Sequence, residues 1–200
     1  MLTEDIAAAG SEDNDIKQKV YDHEVIPSAE MFGIDLEDVV FKGCRFVGCD
    51  FERCGFYSCT FDKCDLSNCK LNEGYFKDCT FSGCKANGVD MGKAVFKQTV
   101  FRTSAFTYGL FSESRFDGCE LSDCDMSGAL LSQSVFKKTA FKDVRFSGAE
   151  FFKADIRGSD FTKCDISGIV LSRELSELRG VTVSFEQAAD LARLLGLIVK

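Results

Sequence analysis

The sequence predicts an all-β solenoid carrying a short C-terminal α-helix, and three observations carry that prediction. From Leu36 to Leu171 every fifth residue is apolar, 28 positions in a register that no insertion breaks. Two places before these centres lies a slot of small residues, and all eleven cysteines fall in it, from Cys44, Cys49 and Cys54 to Cys124 and Cys164. Two places after them glycine recurs, as at Gly43, Gly48, Gly83, Gly88 and Gly128.

A step of five suits neither regular period. On an α-helix it rotates the side chain by roughly 140°, so seventeen Phe centres would wind around the cylinder instead of lining one face. On a straight strand an odd step sends successive centres to opposite faces. The pattern is met when each five-residue unit is a short extended piece, pointing its small residue and its apolar centre inward, followed by a bend that resets direction. The chain then coils.

The elements follow in order. Residues 1–15 are expected to be a flexible acidic leader, and residues 16–35 an N-terminal cap or atypical first coil around Ile26, Pro27 and Met31. Residues 36–172 form the repeat body. Residues 173–200 form a C-terminal capping and dimerisation segment of helix and strand. In that segment Ser184 and Gln187 have the spacing of an N-terminal capping box. Ala188, Leu191, Ala192 and Leu195 line one side of the helix, Gly196 ends it, and Leu197–Val199 read as a short strand. Leu194, Leu197 and Ile198 are surplus to a lid. Leu191, Leu194, Leu195, Leu197 and Ile198 are therefore the expected dimer interface.

Composition narrows function. The chain has 32 acids against 24 bases, one His, one Pro and no Trp. The single His23 leaves little material for Ser-His or Cys-His catalysis and no paired His ligands for zinc. Zinc-type CxxC pairs are absent, and the cysteine slot is shared with Ala, Ser, Thr, Val and Gly, so the thiols read as small packing groups. A core filled with Phe leaves no pocket for converging acid, base and nucleophile. No enzyme activity, cofactor, metal or small-molecule substrate is expected. No apolar run is long enough to span a membrane and the first residues do not resemble a signal peptide, which points to the cytoplasm.

The repeat units, such as Cys64-Asp65-Leu66-Ser67-Asn68 and Cys124-Asp125-Met126-Ser127-Gly128, resemble the A(D/N)LXX signature of pentapeptide-repeat proteins over about 140 of 200 residues. The resemblance implies a right-handed quadrilateral β-helix with four units, or 20 residues, per coil: seven coils for the 28 units, a rod roughly 34 Å long. Residues 20 apart then stack. The column Arg45, Asp65, Lys85, Ala105, Asp125, Arg145, Asp165 mostly alternates in sign. Two departures are candidate surfaces: an acidic cluster of Glu120, Asp123, Asp125 and Asp143, and a basic stripe of Lys77, Lys97, Lys137 and Arg157 interrupted by Asp117. Leu110 and Leu130, near Phe152, are either an exposed apolar contact or partly buried at a corner.

The tail from Phe185 to Val199 is similar to that of Qnr-type fluoroquinolone-resistance and albicidin-immunity proteins. That resemblance implies a homodimer joined by the tail that binds DNA gyrase or topoisomerase IV and protects it from poisons, with the acidic cluster imitating DNA phosphates. The alternative is a structural or protein-interaction rod with a non-topoisomerase partner. Neither reading involves direct nucleic-acid contact or a membrane.

Overall fold

The computed structural model describes residues 1–12, 15–194 and 196–199. It is a right-handed quadrilateral β-helix with an α-helix near each end, α1 (Leu2–Glu12) and α2 (Phe185–Leu194). Neighbouring rungs pair in parallel with a register of 20 residues, as in Leu36 with Phe56 and Phe41 with Phe61. Four sides follow one another around each coil. Face 1 carries a seven-stranded sheet from Ile16–Lys17 to Val135–Lys137, and face 2 another from Val20–Asp22 to Ala140–Lys142. Faces 3 and 4 consist mostly of single bridges, such as Asp65 with Lys85 on face 3 and Leu110 with Leu130 on face 4.

The corners explain this difference. After most centres on faces 3 and 4 the small residue donates its N–H within its own turn, as Cys69 does to the Leu66 carbonyl at 3.1 Å and Gly74 to Leu71 at 3.2 Å. That donor is lost to the inter-rung ladder, which shrinks to one bridge. Every fifth residue from Gln18 to Gly158 has positive φ. Glycine holds this left-handed position at no steric cost, but Asp78, Lys93, Gln98 and Tyr108 also occupy it, each donating its N–H to a carbonyl of the next rung. The stack supplies what the side chain opposes.

All centres from Leu36 to Ile169's neighbour Ile166 point into the rod, and nearly all are buried. On face 2 the rings of Tyr21, Phe41, Phe61, Phe81 and Phe101 stack at centroid distances of 4.6–5.4 Å. On face 1 Phe56, Phe76, Phe96, Phe116 and Phe136 do the same at 4.6–5.0 Å. Offset ring contacts add about 0.5–1.5 kcal/mol each to the burial. The thiol slot does more than save space. Cys44, Cys49, Cys54, Cys59, Cys64, Cys69, Cys79, Cys84 and Cys119 each donate S–H to the carbonyl 23 residues earlier, at 3.1–3.5 Å. Thr99 and Ser114 make the same bond by O–H.

Both ends correct the sequence reading. Leu2–Glu12, expected as a flexible leader, form α1: Leu2 and Ala9 are buried against the first coil, and Asp5 accepts hydrogen bonds from the Tyr21 hydroxyl at 2.7 Å and Lys19 Nζ at 3.1 Å. The first coil is regular, with Ile16, Tyr21, Ile26 and Met31 in the centre slots. At the other end the capping box forms: Ser184 N donates to Gln187 Oε1 at 2.7 Å and Gln187 N to Ser184 Oγ at 3.3 Å. Leu191 is half-buried but Ala188 is exposed, so the covering face is narrower than expected. Leu197–Val199, read as a strand, make no ladder among the described residues; the Leu197 N–H instead donates to the Ala192 carbonyl at 3.3 Å. Leu195 lies outside the described residues.

Candidate partner-binding surfaces

A rod with a filled interior presents its chemistry on its outer slots. Stacked columns place opposite charges one rung apart, and ion pairs form between them: Lys17 with Glu37 at 3.0 Å, Lys70 with Asp50 at 2.9 Å, Arg53 with Glu73 at 2.7 Å and Arg145 with Asp125 at 2.8 Å. These pairs are exposed, and each is worth little by itself. Their main effect is to neutralise neighbouring rungs locally, at Asp50, Glu73 and Asp125 among others, while many other surface charges stay open to a partner.

The acidic cluster is only partly assembled. Asp123 and Asp143 occupy successive rungs at the corner between faces 2 and 3, exposed and without an ion pair among the described residues. Asp125, two residues on, is committed locally. Burial works against its charged form, but hydrogen bonds from Ser127 and the Arg145 guanidinium outweigh that and hold its carboxyl below the usual range. Glu120 lies at the far end of its strand, paired in register with Ala140.

The basic stripe stacks on face 1 as expected, Lys77 beside Lys97, then Asp117 and Lys137. Lys137 reaches Asp117 at 3.4 Å, and Lys97 lies 5.4 Å from the Tyr75 ring centroid. Arg157 is held by Asp155 through Nε at 2.8 Å and Nη2 at 2.6 Å. The cations nearest the C-terminal end are thus partly spoken for.

The thiols are buried and free. Burial pushes Cys54, Cys84, Cys119 and Cys124 up to about 11, which keeps them protonated and unreactive. In the stacked pairs Cys49–Cys69 and Cys59–Cys79 the neighbouring sulfur, together with burial, drives Cys69 and Cys79 upward. Among the described residues no group of three or more His, Cys, Asp or Glu is placed to hold a metal ion.

One functional-looking group escaped the sequence reading. Glu177, in a short turn at Ser176–Leu178, is buried and accepts from Lys153 N at 2.6 Å, Ser172 N at 3.1 Å and Ser172 Oγ at 2.8 Å. Burial opposes its ionisation, yet these donors prevail and keep its carboxyl below the ordinary value. Its role is to close the last coil. Beyond it, the expected dimer residues Leu194, Leu197 and Ile198 are exposed together with Phe185, whereas Leu191 packs inward.

Five-residue sides, parallel pairing and a closed apolar interior define a solenoid that offers surfaces, not a cavity. Family models for a pentapeptide repeat region match residues 34–104 and 54–119, and one for pentapeptide repeats in nine copies matches residues 111–173. The chain belongs to the pentapeptide-repeat family. A trypsin-treated form of QnrB1, a plasmid-mediated fluoroquinolone resistance protein, superposes with a TM-score of 0.55 at 19% identity, over 93% of this chain and 98% of that one. The full-length form gives 0.46 at 19% identity over 92% and 100%. A pentapeptide repeat protein from the Arabidopsis thaliana thylakoid lumen gives 0.36 at 18% over 51% and 68%. At these identities the likeness concerns the fold. No curated protein matches the chain by sequence. No helix among the described residues is long and apolar enough to cross a membrane.

Proposed function

We propose that this chain is a Qnr-like cytoplasmic protein that dimerises through its C-terminal tail, binds DNA gyrase or topoisomerase IV, and protects it from fluoroquinolone-type poisons without catalysing a reaction. The observation that carries the reading is the uncovered tail at the end of a Qnr-like rod: Phe185 is 87% and Ile198 88% exposed, with Leu194 and Leu197 beside them. An apolar end of this kind is a subunit contact by composition. Two copies joined there form a rod about twice as long. Its unpaired Asp123 and Asp143 corners, along with Glu120, supply the negative charge with which a DNA-binding saddle would be engaged.

The test is gyrase supercoiling titrated with the protein, with and without ciprofloxacin. Recovery of supercoiling in the presence of drug supports the reading. No binding to either topoisomerase at tens of micromolar, and no recovery, overturns it. The dimer is tested separately by sedimentation of Leu194→Glu/Leu197→Glu, expected to be monomeric where the parent is dimeric. A second reading, a protein-interaction rod with another partner, is favoured by the near balance of acids and bases along the repeat body, which keeps its net charge low.

A further inference from the structure

We infer that face 4 between Asp90 and Glu150 is a docking groove for a partner's amphipathic helix whose apolar side chains are bracketed by Lys or Arg. The outward slot of this face reads Glu30, Asp50, Lys70, Asp90, Leu110, Leu130, Glu150 and Val170 along successive rungs. Its lower part is charged and paired, as in Lys70 with Asp50. The middle is not. Leu110 and Leu130, bridged on adjacent rungs, are 37% and 38% exposed in a slot that carries charge at every other rung except Val170. The apolar strip widens at both corners. On one side the Tyr108 ring lies against Gly128, where a Cβ would come within 2.6 Å of it; on the other stands the exposed Phe152.

The surface is concave. A groove of about 330 Å³ is lined by Asn72, Asp90, Lys93, Leu110, Glu113 and Leu130, among others. Glu73 is already bound to Arg53, and Lys93 and Lys153, the latter over the Phe152 ring, offset two acids, so Asp90, Glu113 and Glu150 leave a small negative surplus. Glu113 makes no ion pair among the described residues.

Spacing selects the helix. Rungs are about 4.8 Å apart, and a helix laid along the rod brings a side chain to the contact every 3.5 residues, about 5.2 Å. Apolar residues at i and i+4 then meet Leu110 and Leu130. Cations at i−3 and i+7, about 15 Å apart on a helix, meet Asp90 and Glu150, three rungs or about 14 Å apart. This groove lies across the rod from face 2 and away from the Asp123 corner, so it stands or falls independently of topoisomerase binding.

The probe is a fluorescein-labelled 14-residue peptide with leucines at i and i+4 and lysines at i−3 and i+7, titrated by anisotropy into the full chain. A Kd of roughly 10–100 µM at low salt is expected, weakened by added salt. Leu110→Ser/Leu130→Ser should weaken it at least ~10-fold, and Glu113→Lys roughly threefold, with melting temperature checked for both. Should the double variant fail to fold, Glu113→Lys and Tyr108→Ser carry the test. A peptide with glutamates replacing the lysines should not bind. The inference is overturned by no binding at 1 mM, by affinity that these variants leave unchanged, by equal binding of the glutamate peptide, or by self-association that the variants abolish, which would make a second copy the occupant.

Discussion

The two ends of the rod solve one problem in opposite ways. Each must cover a ring of apolar centres and an unpaired backbone edge. At the N-terminus α1 does so with its own apolar residues, Leu2 and Ala9, and its apolar side is consumed. At the C-terminus the closure is polar: Glu177 gathers the Lys153 and Ser172 donors, and Gln187 Nε2 donates to the Phe161 and Cys164 carbonyls at 2.8 and 2.7 Å. No residue of α2 is fully buried. Because hydrogen bonds do much of the work of holding that helix, with Leu191 alone of its leucines turned inward, Leu194 remains on offer together with Phe185. The first end is finished; the second is prepared for another surface.

The largest effect expected from breaking this arrangement is at Glu177. Glu177→Ala leaves two backbone donors and a hydroxyl unpaired in a buried place, which costs about 1–3 kcal/mol for each group that water does not reach. A loss of roughly 3 kcal/mol in denaturant unfolding is expected, with exchange protection lost first in residues 153–183. A change below about 0.5 kcal/mol would mean that the last coil is held by packing alone. Gln187→Ala should cost less, about 1–2 kcal/mol, because it removes a cap and two carbonyl bonds at a half-exposed site. It should also loosen α2 and weaken any dimer formed through it, read by sedimentation.

The N-terminal end should respond less. Asp5→Ala removes the Tyr21 and Lys19 contacts and is expected to raise hydrogen exchange in residues 2–12 while leaving the body unchanged, at roughly 1 kcal/mol. The same contact has a pH signature. The Tyr21 hydrogen bond, aided by Lys19, holds the Asp5 carboxyl below its ordinary value of 3.8. A lowered folded-state value means that the stabilisation is present in full above the ordinary carboxylate range and is lost as pH falls through the folded value. Protection of α1 relative to intrinsic amide exchange, followed from pH 6 to pH 2.5, should fall toward the acid end in the parent and change less in Asp5→Ala.

The core was legible because its rule is strict and local: centres five apart have one way to be buried together. The first coil was harder to see for a physical reason. The centre rhythm continues back through Met31, Ile26, Tyr21 and Ile16, but the small slot does not, holding Glu24 and Lys19. That slot points toward the preceding rung, as the sulfur bonds to carbonyls 23 residues earlier demonstrate. On the first rung it faces α1, where Glu24 accepts the Leu2 N–H at 3.0 Å and Lys19 meets Asp5. Large polar residues there mark the end of the stack. The acidic cluster was read by stacking, which located Asp123 above Asp143 and also put Arg145 next to Asp125 in its column, but stacking does not show that Ser127, in the same turn, would close on the Asp125 carboxyl as well. Glu177 gave no pattern at all, since two of its three partners are backbone N–H groups, of Lys153 and Ser172, which any residue carries.

The sulfur slot gives the rod a built-in record of its own unravelling. Eleven thiols are distributed from Cys44 to Cys164 and sheltered while the stack is closed, so an alkylating reagent marks only those whose neighbourhood has parted. The order in which they acquire label, mapped by mass spectrometry, would tell from which extremity the molecule comes undone and how far the opening travels before the remainder follows.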